Sequence, residues 1–104
     1  MKESQLQHAI VQALQLHGVF FFSVPNEGAG NNARRAQHLK AMGLRSGVSD
    51  LVVVLPNQVL FMEVKTDTGK QSDAQKRFES TVTELGHRYV VVRSVDEAIG
   101  CIVD

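Results

Sequence analysis

The sequence has only one cysteine, Cys101, and no apolar run that approaches the length of a membrane span. A single thiol excludes an internal disulfide, and no cysteine or histidine spacing typical of a zinc site is present. The N-terminal residues lack the apolar segment of a signal peptide. These absences predict a cytoplasmic protein without a membrane partner.

The sequence also lacks an excess of charge of either sign, since 11 basic side chains balance 11 acidic ones. Net charge therefore argues neither for nor against a nucleic-acid partner, and the local clustering of charge has to decide that question. A chain of 104 residues is long enough for one domain with one modest core. We expect a single domain over residues 1–104, because no internal repeat or interdomain linker is present.

Two apolar segments in the middle of the chain, residues 51–55 and 59–65, are rich in β-branched side chains. Pro56 and Asn57 interrupt the apolar pattern between them, which predicts a β-hairpin. The hairpin is preceded by an acidic residue, Asp50, and its second segment ends in further charged residues. Its open end is therefore the most informative part of the sequence.

The length of the turn decides which side chains of the hairpin face each other. With a two-residue turn, Leu55 pairs with Gln58, and Asp50 lies directly across from Glu63. Pro-Asn is not a preferred two-residue turn, so a four-residue loop is an alternative, which places Asp50 across from Lys65. In both registers the three charged side chains share one face at the open end of the hairpin.

Two facing carboxylates destabilise a sheet unless something compensates their charge. A divalent cation would compensate it, and Mg²⁺ is typically held by one or two protein carboxylates together with water and phosphate oxygens. The open end of the hairpin is therefore a candidate metal site with an ammonium group beside it.

The remaining pattern predicts four helices and four strands in the order α-β-α-β-β-α-β-α. The predicted helices cover residues 3–17, 31–42, 72–85 and 94–103, and the predicted strands cover residues 19–24, 51–55, 59–65 and 88–93. Three of these strands are apolar on both faces, which is typical of a sheet covered by helices on both sides. The helix between the last two strands requires a parallel crossover. The predicted fold class is therefore α/β, with a mixed four-stranded sheet flanked by helices.

Glu3 has more than one interpretation. It is in phase with the apolar stripe of the first helix, three residues before Leu6, which directs its carboxylate toward the core side. Alternatively, Glu3 only complements the helix dipole. A third possibility is that it lies outside a helix that begins with a capping box of Ser4 and Gln7.

The segment before Asp50 is basic, with no acidic residue between positions 28 and 49. Its candidate DNA-binding residues are Arg34, Arg35, Lys40 and Arg45. Such side chains bind phosphates independently of the nucleic-acid sequence. Because the segment leads directly into Asp50, bound phosphates would lie near the carboxylates. The alternative is the solvated face of a short helix that follows a loop at residues 25–30, is capped by Asn31 or Asn32 and is stopped by Gly43.

Gln75 has a structural and a functional interpretation. With Ser72 it forms the capping box of the third helix. It also lies in the first turn after the loop that follows Lys65, so its amide could reach the charged site.

Six short motifs span most of the chain. In order they are Pro25-Asn26, Leu39-Lys40-x-x-Gly43, Gly47-x-x-Asp50-Leu51, Glu63-x-Lys65, Gly69 with Ser72-x-x-Gln75, and Val91-Val92-Arg93-Ser94. This ordered set resembles the VRR-NUC domain, the virus-type replication-repair nuclease family of the PD-(D/E)xK nuclease superfamily. One position departs from the family pattern, since Ser49 stands where the family has a proline. We expect this change to alter backbone rigidity rather than remove chemistry.

The resemblance implies a restriction-endonuclease-like core and a metal-dependent nuclease. Asp50, Glu63 and the main-chain carbonyl of Val64 would bind Mg²⁺ or Mn²⁺, and Glu3 would hold a second ion or a water ligand of the first. Lys65 would position the attacking water or stabilise charge on the phosphate. The chemistry agrees, because phosphodiester hydrolysis needs an activated water and charge neutralisation, and a metal ion supplies both.

The resemblance also implies that Gln75 orients the catalytic lysine or the water. Stand-alone domains similar to this one, of phage or bacterial type, act on branched or junction DNA in replication and repair. The implied compartment is the cytoplasm of a bacterium or a phage-infected cell. Similar domains look dimeric, and a homodimer has physical support, because two sites related by a two-fold axis allow paired cuts in two strands.

Two other functions remain as alternatives. One is a nuclease-like DNA-binding subunit without cleavage activity of its own. The other is a small α/β interaction module in which the hairpin carboxylates pair with Lys65 and surface arginines.

Overall fold

The computed structural model describes residues 1–25 and 32–103. Most of the expected loop at residues 25–30, and the alternative cap Asn31, lie outside the described residues. Within them, four helices and four strands follow one another in the predicted order. They are α1 (Glu3–Leu16), β1 (Phe20–Ser23), α2 (Ala33–Ala41), β2 (Leu51–Leu55), β3 (Gln58–Val64), α3 (Asp73–Glu84), β4 (Arg88–Val92) and α4 (Val95–Gly100). None of the described helices is long and apolar enough to cross a membrane.

The four strands form one mixed sheet in the order β1-β2-β3-β4. β2 pairs antiparallel with both of its neighbours, whereas β3 and β4 are parallel and are connected through α3. The predicted mixed sheet and its parallel crossover are therefore confirmed.

The β2–β3 hairpin has the two-residue turn. Leu55 pairs with Gln58, and the regular pairing continues to the start of β2, so the four-residue alternative is wrong. Asn57 has a φ of 67°. Together with the φ near −65° that the ring of Pro56 imposes, this conformation fits a type II turn. The hairpin thus closes in the register that places Asp50 opposite Glu63.

The two faces of the sheet are covered by different helices. One face packs against α1 and α4, and the buried side chains of this core are Leu6, Ile10, Leu14, Leu51, Val53, Leu60, Met62, Val64, Val92 and Ala98. On the other face, Phe78 of α3 contacts Phe61 of β3 edge-to-face, with a centroid distance of 5.3 Å. The same ring contacts Tyr89 of β4 at 6.1 Å. This aromatic cluster attaches α3 to the sheet.

The expectation that strands apolar on both faces are covered on both sides is wrong for β1. Phe20 is 70% exposed and Phe22 is 48% exposed, whereas Phe21 between them packs against the core. The reason is position, because β1 is an edge strand and the ring of Phe78 on α3 packs over β3 and β4 instead.

The helix caps largely follow the prediction. Ser72 and Ser94 each accept the backbone N–H three residues further on, and Asn32 caps α2 in the same way. α4 ends at Gly100, earlier than predicted, because the N–H of Cys101 and that of the next residue bond to carbonyls three residues back. Such bonds tighten the last turn of a helix.

Candidate active site

Carboxylates from three elements meet at the open end of the hairpin. Glu3 is the first residue of α1, Asp50 directly precedes β2, and Glu63 lies at the end of β3. One oxygen of each carboxylate lies within 4.8 Å of the other two. The two hairpin acids are therefore as close together as the register predicts, and α1 adds a third acid.

Glu3 reaches this cluster although its side chain is exposed. α1 begins at Glu3, because Oε1 of Gln5 accepts the backbone N–H of Lys2 at 2.9 Å. The alternative capping box of Ser4 and Gln7 is therefore wrong. Glu3 also lies in the first turn, where a carboxylate complements the helix dipole, so its position fits both interpretations, and a role in metal binding stays a prediction.

The backbone on both sides of Asp50 is fixed by hydrogen bonds. Oδ2 of Asp50 accepts the N–H of Val64 at 2.8 Å, and the main-chain carbonyl of Asp50 accepts the N–H of Val24 at 3.0 Å. Ser49 is fully buried, and its hydroxyl donates to the carbonyl of Leu51 at 2.9 Å. A hydrogen bond thus constrains the segment where a proline ring would otherwise do so. Val64 contacts Asp50 through its N–H, and a role for its carbonyl stays a prediction.

Glu63 is 1% exposed, and its two oxygens have different surroundings. Oε2 accepts the side-chain N–H of Gln75 at 2.9 Å and lies 3.5 Å from Nζ of Lys65. Oε1 is buried and has no hydrogen-bond donor among the described residues. A buried carboxylate oxygen without a partner is costly. It is also an atom that a bound cation would satisfy.

The electrostatics of the site agree with this interpretation. Burial and then the negative charge of Asp50 raise the pKa of Glu63 from its usual 4.5 to about 8, although the ammonium of Lys65 acts in the opposite direction. Without a compensating cation, ionised Glu63 is therefore unfavourable in the folded protein. The all-oxygen donor set of three carboxylates fits a hard divalent ion such as Mg²⁺ or Mn²⁺.

Both interpretations of Gln75 hold in the structure. Its Oε1 accepts the backbone N–H of Ser72 at 2.8 Å, which completes the capping box. Its Nε2 donates to Glu63 at the same time. The amide thus orients a carboxylate, a contact that the sequence did not single out.

The four predicted DNA-binding residues, Arg34, Arg35, Lys40 and Arg45, are all exposed. None of them forms an ion pair with another described residue. Arg34 and Arg35 lie in the first turn of α2, where the helix dipole disfavours cations. Their position therefore does not serve the stability of the helix.

Arg93 is a residue of the site to which the sequence assigned no role. Its Nη1 donates to the carbonyls of Thr66 and Gly69, at 2.6 and 2.8 Å, in the loop that follows Lys65. The N–H of Lys65 donates to the carbonyl of Val92 at 3.0 Å. Because β3 and β4 are parallel, both strands end at the same edge. This relationship is the signal that could have assigned Arg93 to the lysine loop.

Gly47 makes a close approach that the sequence also did not reveal. A Cβ at this position would lie 2.2 Å from the carbonyl oxygen of Ala74, and Gly47 has a φ of 82°. The segment before Asp50 thus packs directly on the backbone of α3, one residue before Gln75. Only glycine fits this contact.

Comparisons with known proteins agree with this geometry. A sequence model of the VRR-NUC domain matches residues 1–96. A solved VRR-NUC domain protein has the same fold with a TM-score of 0.78 and 20% identity, covering 97% of this chain and 84% of that chain. A second solved VRR-NUC domain has a TM-score of 0.67 and 24% identity, covering 94% of this chain and 90% of that chain. No curated protein matches. The chain belongs to the VRR-NUC domain family.

Proposed function

We propose that this domain is a nuclease that hydrolyses phosphodiester bonds in DNA with a Mg²⁺ or Mn²⁺ ion held by Asp50, Glu63 and Glu3. Membership of the VRR-NUC family supports a nuclease-like domain. The observation that carries the proposal is the buried Oε1 of Glu63, which has no donor among the described residues and belongs to a cluster of three acids. The ammonium of Lys65 offsets only part of the repulsion within this cluster, because the pKa of Glu63 stays raised to about 8, and a bound metal ion would offset the rest.

Each residue of the site has a distinct part in this proposal. When bound, the metal ion supplies an activated water and neutralises charge on the phosphate. The ammonium of Lys65, 3.5 Å from Oε2 of Glu63, adds electrostatic stabilisation of the negative charge that develops in the transition state. Gln75 holds Oε2, which leaves Oε1 as a ligand. The carbonyl of Val64 is a further proposed ligand.

The basic residues support DNA as the substrate. Arg34 and Arg35 are exposed cations at the end of α2 where a bound phosphate, rather than an arginine, would complement the helix dipole. Lys40 and Arg45 continue this positive surface along the chain toward Asp50. We propose branched or junction DNA as the preferred substrate.

Cleavage assays test the nuclease proposal. Plasmid, linear duplex and four-way junction DNA are incubated with Mg²⁺, Mn²⁺ or EDTA. We expect cleavage with either metal, none with EDTA, and a loss of about 100-fold or more in Asp50→Ala, Glu63→Ala and Lys65→Ala. Asp67→Ala is the matched control, because Asp67 is an exposed acid two residues after Lys65.

Two results would contradict this proposal in different ways. If the wild type cuts and the three site variants cut equally well, the assignment of the site is wrong. If the wild type binds DNA with a steep salt dependence and cuts no structure, the domain is a DNA-binding subunit. Equal rates on junction and linear DNA would remove the preference for branched substrates alone.

We also propose that the domain acts as a homodimer. β1 is an edge strand of uncharged residues, and Phe20 and Phe22 lie exposed on one face of it beside Val54, the cross-strand partner of Phe20. An exposed apolar edge of this kind is a ready template for pairing with another chain, and a second copy offers the same edge. Sedimentation at micromolar concentration is expected to give a dimer, and Phe22→Lys a monomer. A wild-type monomer with and without DNA would contradict the proposal.

A further inference from the structure

A groove of about 820 Å³ runs between α3 and the segment that connects α2 to β2. Its size lies in the range of about 300–1,000 Å³ that is usual for ligand sites. We call it the α2–α3 groove. Its lining includes Lys40, Arg45, Ala74, Arg77, Phe78 and Leu85.

The α2–α3 groove combines positive charge with apolar surface. Lys40, Arg45 and Arg77 line it, and no acidic side chain does so among the described residues. Its lining also includes apolar side chains, among them Phe78 and Leu85, and Leu85 is 70% exposed. The groove therefore offers a ligand both positive charge and apolar contact.

The groove is next to the carboxylate cluster. Ala74 lines the groove, and the next residue, Gln75, donates to Glu63. The backbone of Gly47 lies against that of Ala74. The groove and the carboxylate cluster therefore share the first turn of α3.

We infer that the α2–α3 groove binds an unpaired DNA strand and that the enzyme proposed above prefers substrates with a single-stranded arm. A duplex presents its phosphates outward and hides the faces of its bases in the stack, so apolar groove residues would gain nothing from it. Unpaired bases expose apolar faces that pack on such side chains, while their phosphates contact cations. The preference in cleavage rests on the proposed function, whereas the binding of single strands does not.

An acidic amphipathic peptide has the same combination of charge and apolar surface. The position of the groove favours DNA, because the groove shares Ala74 and the start of α3 with the proposed site of phosphodiester hydrolysis. A peptide has no phosphodiester that would lie at that site. The peptide is therefore a competing occupant that the experiment must separate.

Fluorescence anisotropy with a labelled oligothymidylate and with a labelled hairpin duplex, both in EDTA, tests the inference without cleavage. Arg77→Ala is expected to weaken single-strand binding and to reduce the slope of log K against log salt by about 0.7, the value for one phosphate contact. Leu85→Ser is expected to weaken single-strand binding by about fivefold or more, because it removes apolar surface against which an unpaired base packs. Duplex affinity should change less than twofold in both.

Two matched controls distinguish an effect of the groove from the effect of removing any exposed cation or any exposed leucine. Lys76→Ala removes an exposed cation from the residue next to Arg77, outside the groove lining, and Leu16→Ser removes an exposed leucine from α1. Both should bind the oligothymidylate like the wild type. All four variants should have the melting temperature of the wild type, since each substituted side chain is exposed.

Several outcomes would overturn the inference. One is an equal loss of single-strand affinity in Arg77→Ala and Lys76→Ala. Another is an equal loss of affinity for the duplex and for the single strand. A third is that substitutions at the groove weaken binding of an acidic peptide but not of DNA. If the wild type cuts no DNA but the groove variants still lose single-strand affinity, the groove assignment stands and the nuclease proposal fails. If the wild type cuts and the variants bind as before, only the groove assignment fails.

Discussion

The side chain of Gln75 donates to Oε2 of Glu63 at 2.9 Å, so the first turn of α3 is bonded directly to a buried carboxylate of the sheet. The other end of the same amide accepts the N–H of Ser72 at 2.8 Å. One side chain therefore fixes both the start of a helix and the orientation of a proposed metal ligand. Neither can shift without the other.

Gln75→Ala is expected to lower metal affinity or cleavage by about 10- to 100-fold, the usual effect of removing a group that orients a ligand. Ser72→Ala is the control, because it removes the helix cap and costs about 1 kcal/mol of stability but leaves the contact with Glu63. Titration calorimetry with Mn²⁺ and thermal unfolding separate the two effects. Equal metal affinity in both variants would mean that the amide serves only the helix.

The stability of the metal-free protein is expected to fall as the pH rises. Unfolded Glu63 loses its proton near pH 4.5, whereas the folded protein keeps it until about pH 8. Between these values the folded state binds more protons than the unfolded state, so stability falls through this window and stays low above it. Thermal unfolding in EDTA across the window measures this loss, and Glu63→Gln should flatten the curve.

Added Mg²⁺ should restore stability, with the largest gain at the top of that window, where the ion no longer competes with a proton. A melting temperature in EDTA that rises with pH through the window would contradict the buried, proton-binding carboxyl. A metal effect of the same size in Glu63→Gln would place the ion elsewhere.

Arg93→Ala is expected to release the loop that follows Lys65. It removes the donor from two carbonyls, which costs roughly 1 kcal/mol or more, and hydrogen exchange should increase at residues 66–70. Cleavage should fall mainly in kcat, because the lysine is less well placed while DNA binding is retained. Arg88→Ala is the control at the other end of β4, where Nη1 donates to the carbonyl of Cys101. Similar kcat values for both variants would exclude a positioning role.

Gly47→Ala is expected to be far more harmful than Gly43→Ala. Both glycines have a positive φ, which makes alanine strained by about 1 kcal/mol or more. Only at Gly47 does the new Cβ collide with a backbone, the carbonyl of Ala74 at 2.2 Å, whereas nothing lies within 4 Å at Gly43. Denaturant unfolding measures the difference in the free energy of unfolding between the two variants. Equal destabilisation would mean that the segment before Asp50 can move away from α3.

The convergence of Asp50 and Glu63 was predictable from the sequence because side chains in a strand alternate with a period of two. A two-residue turn and a four-residue loop both keep the charged residues on one face, since a slip by two residues preserves the face and only a slip by one would move them apart. What sequence reasoning did not decide was the length of the turn, because the positive φ of Asn57 makes a turn possible that Pro-Asn seldom forms.

Other features depend on tertiary position, which local patterns do not encode. The aromatic residues of β1 show what that strand could bury, but its place at the edge leaves Phe20 and Phe22 exposed. Likewise, Arg77 and Arg93 resemble ordinary surface arginines in the sequence. One lines a groove and the other holds the loop after Lys65, because α3 and β4 are packed beside residues distant in the chain.

The Pro56–Asn57 turn lies at the end of the hairpin opposite the acids. Five residue pairs separate it from Asp50 and Glu63, a length of about 17 Å at the usual rise of a strand. Both turn residues are exposed, and loop tips of this kind tolerate inserted residues. A fluorophore or a fused domain attached there would stand clear of the carboxylates, which makes this turn the natural handle for imaging or tethering the protein on DNA.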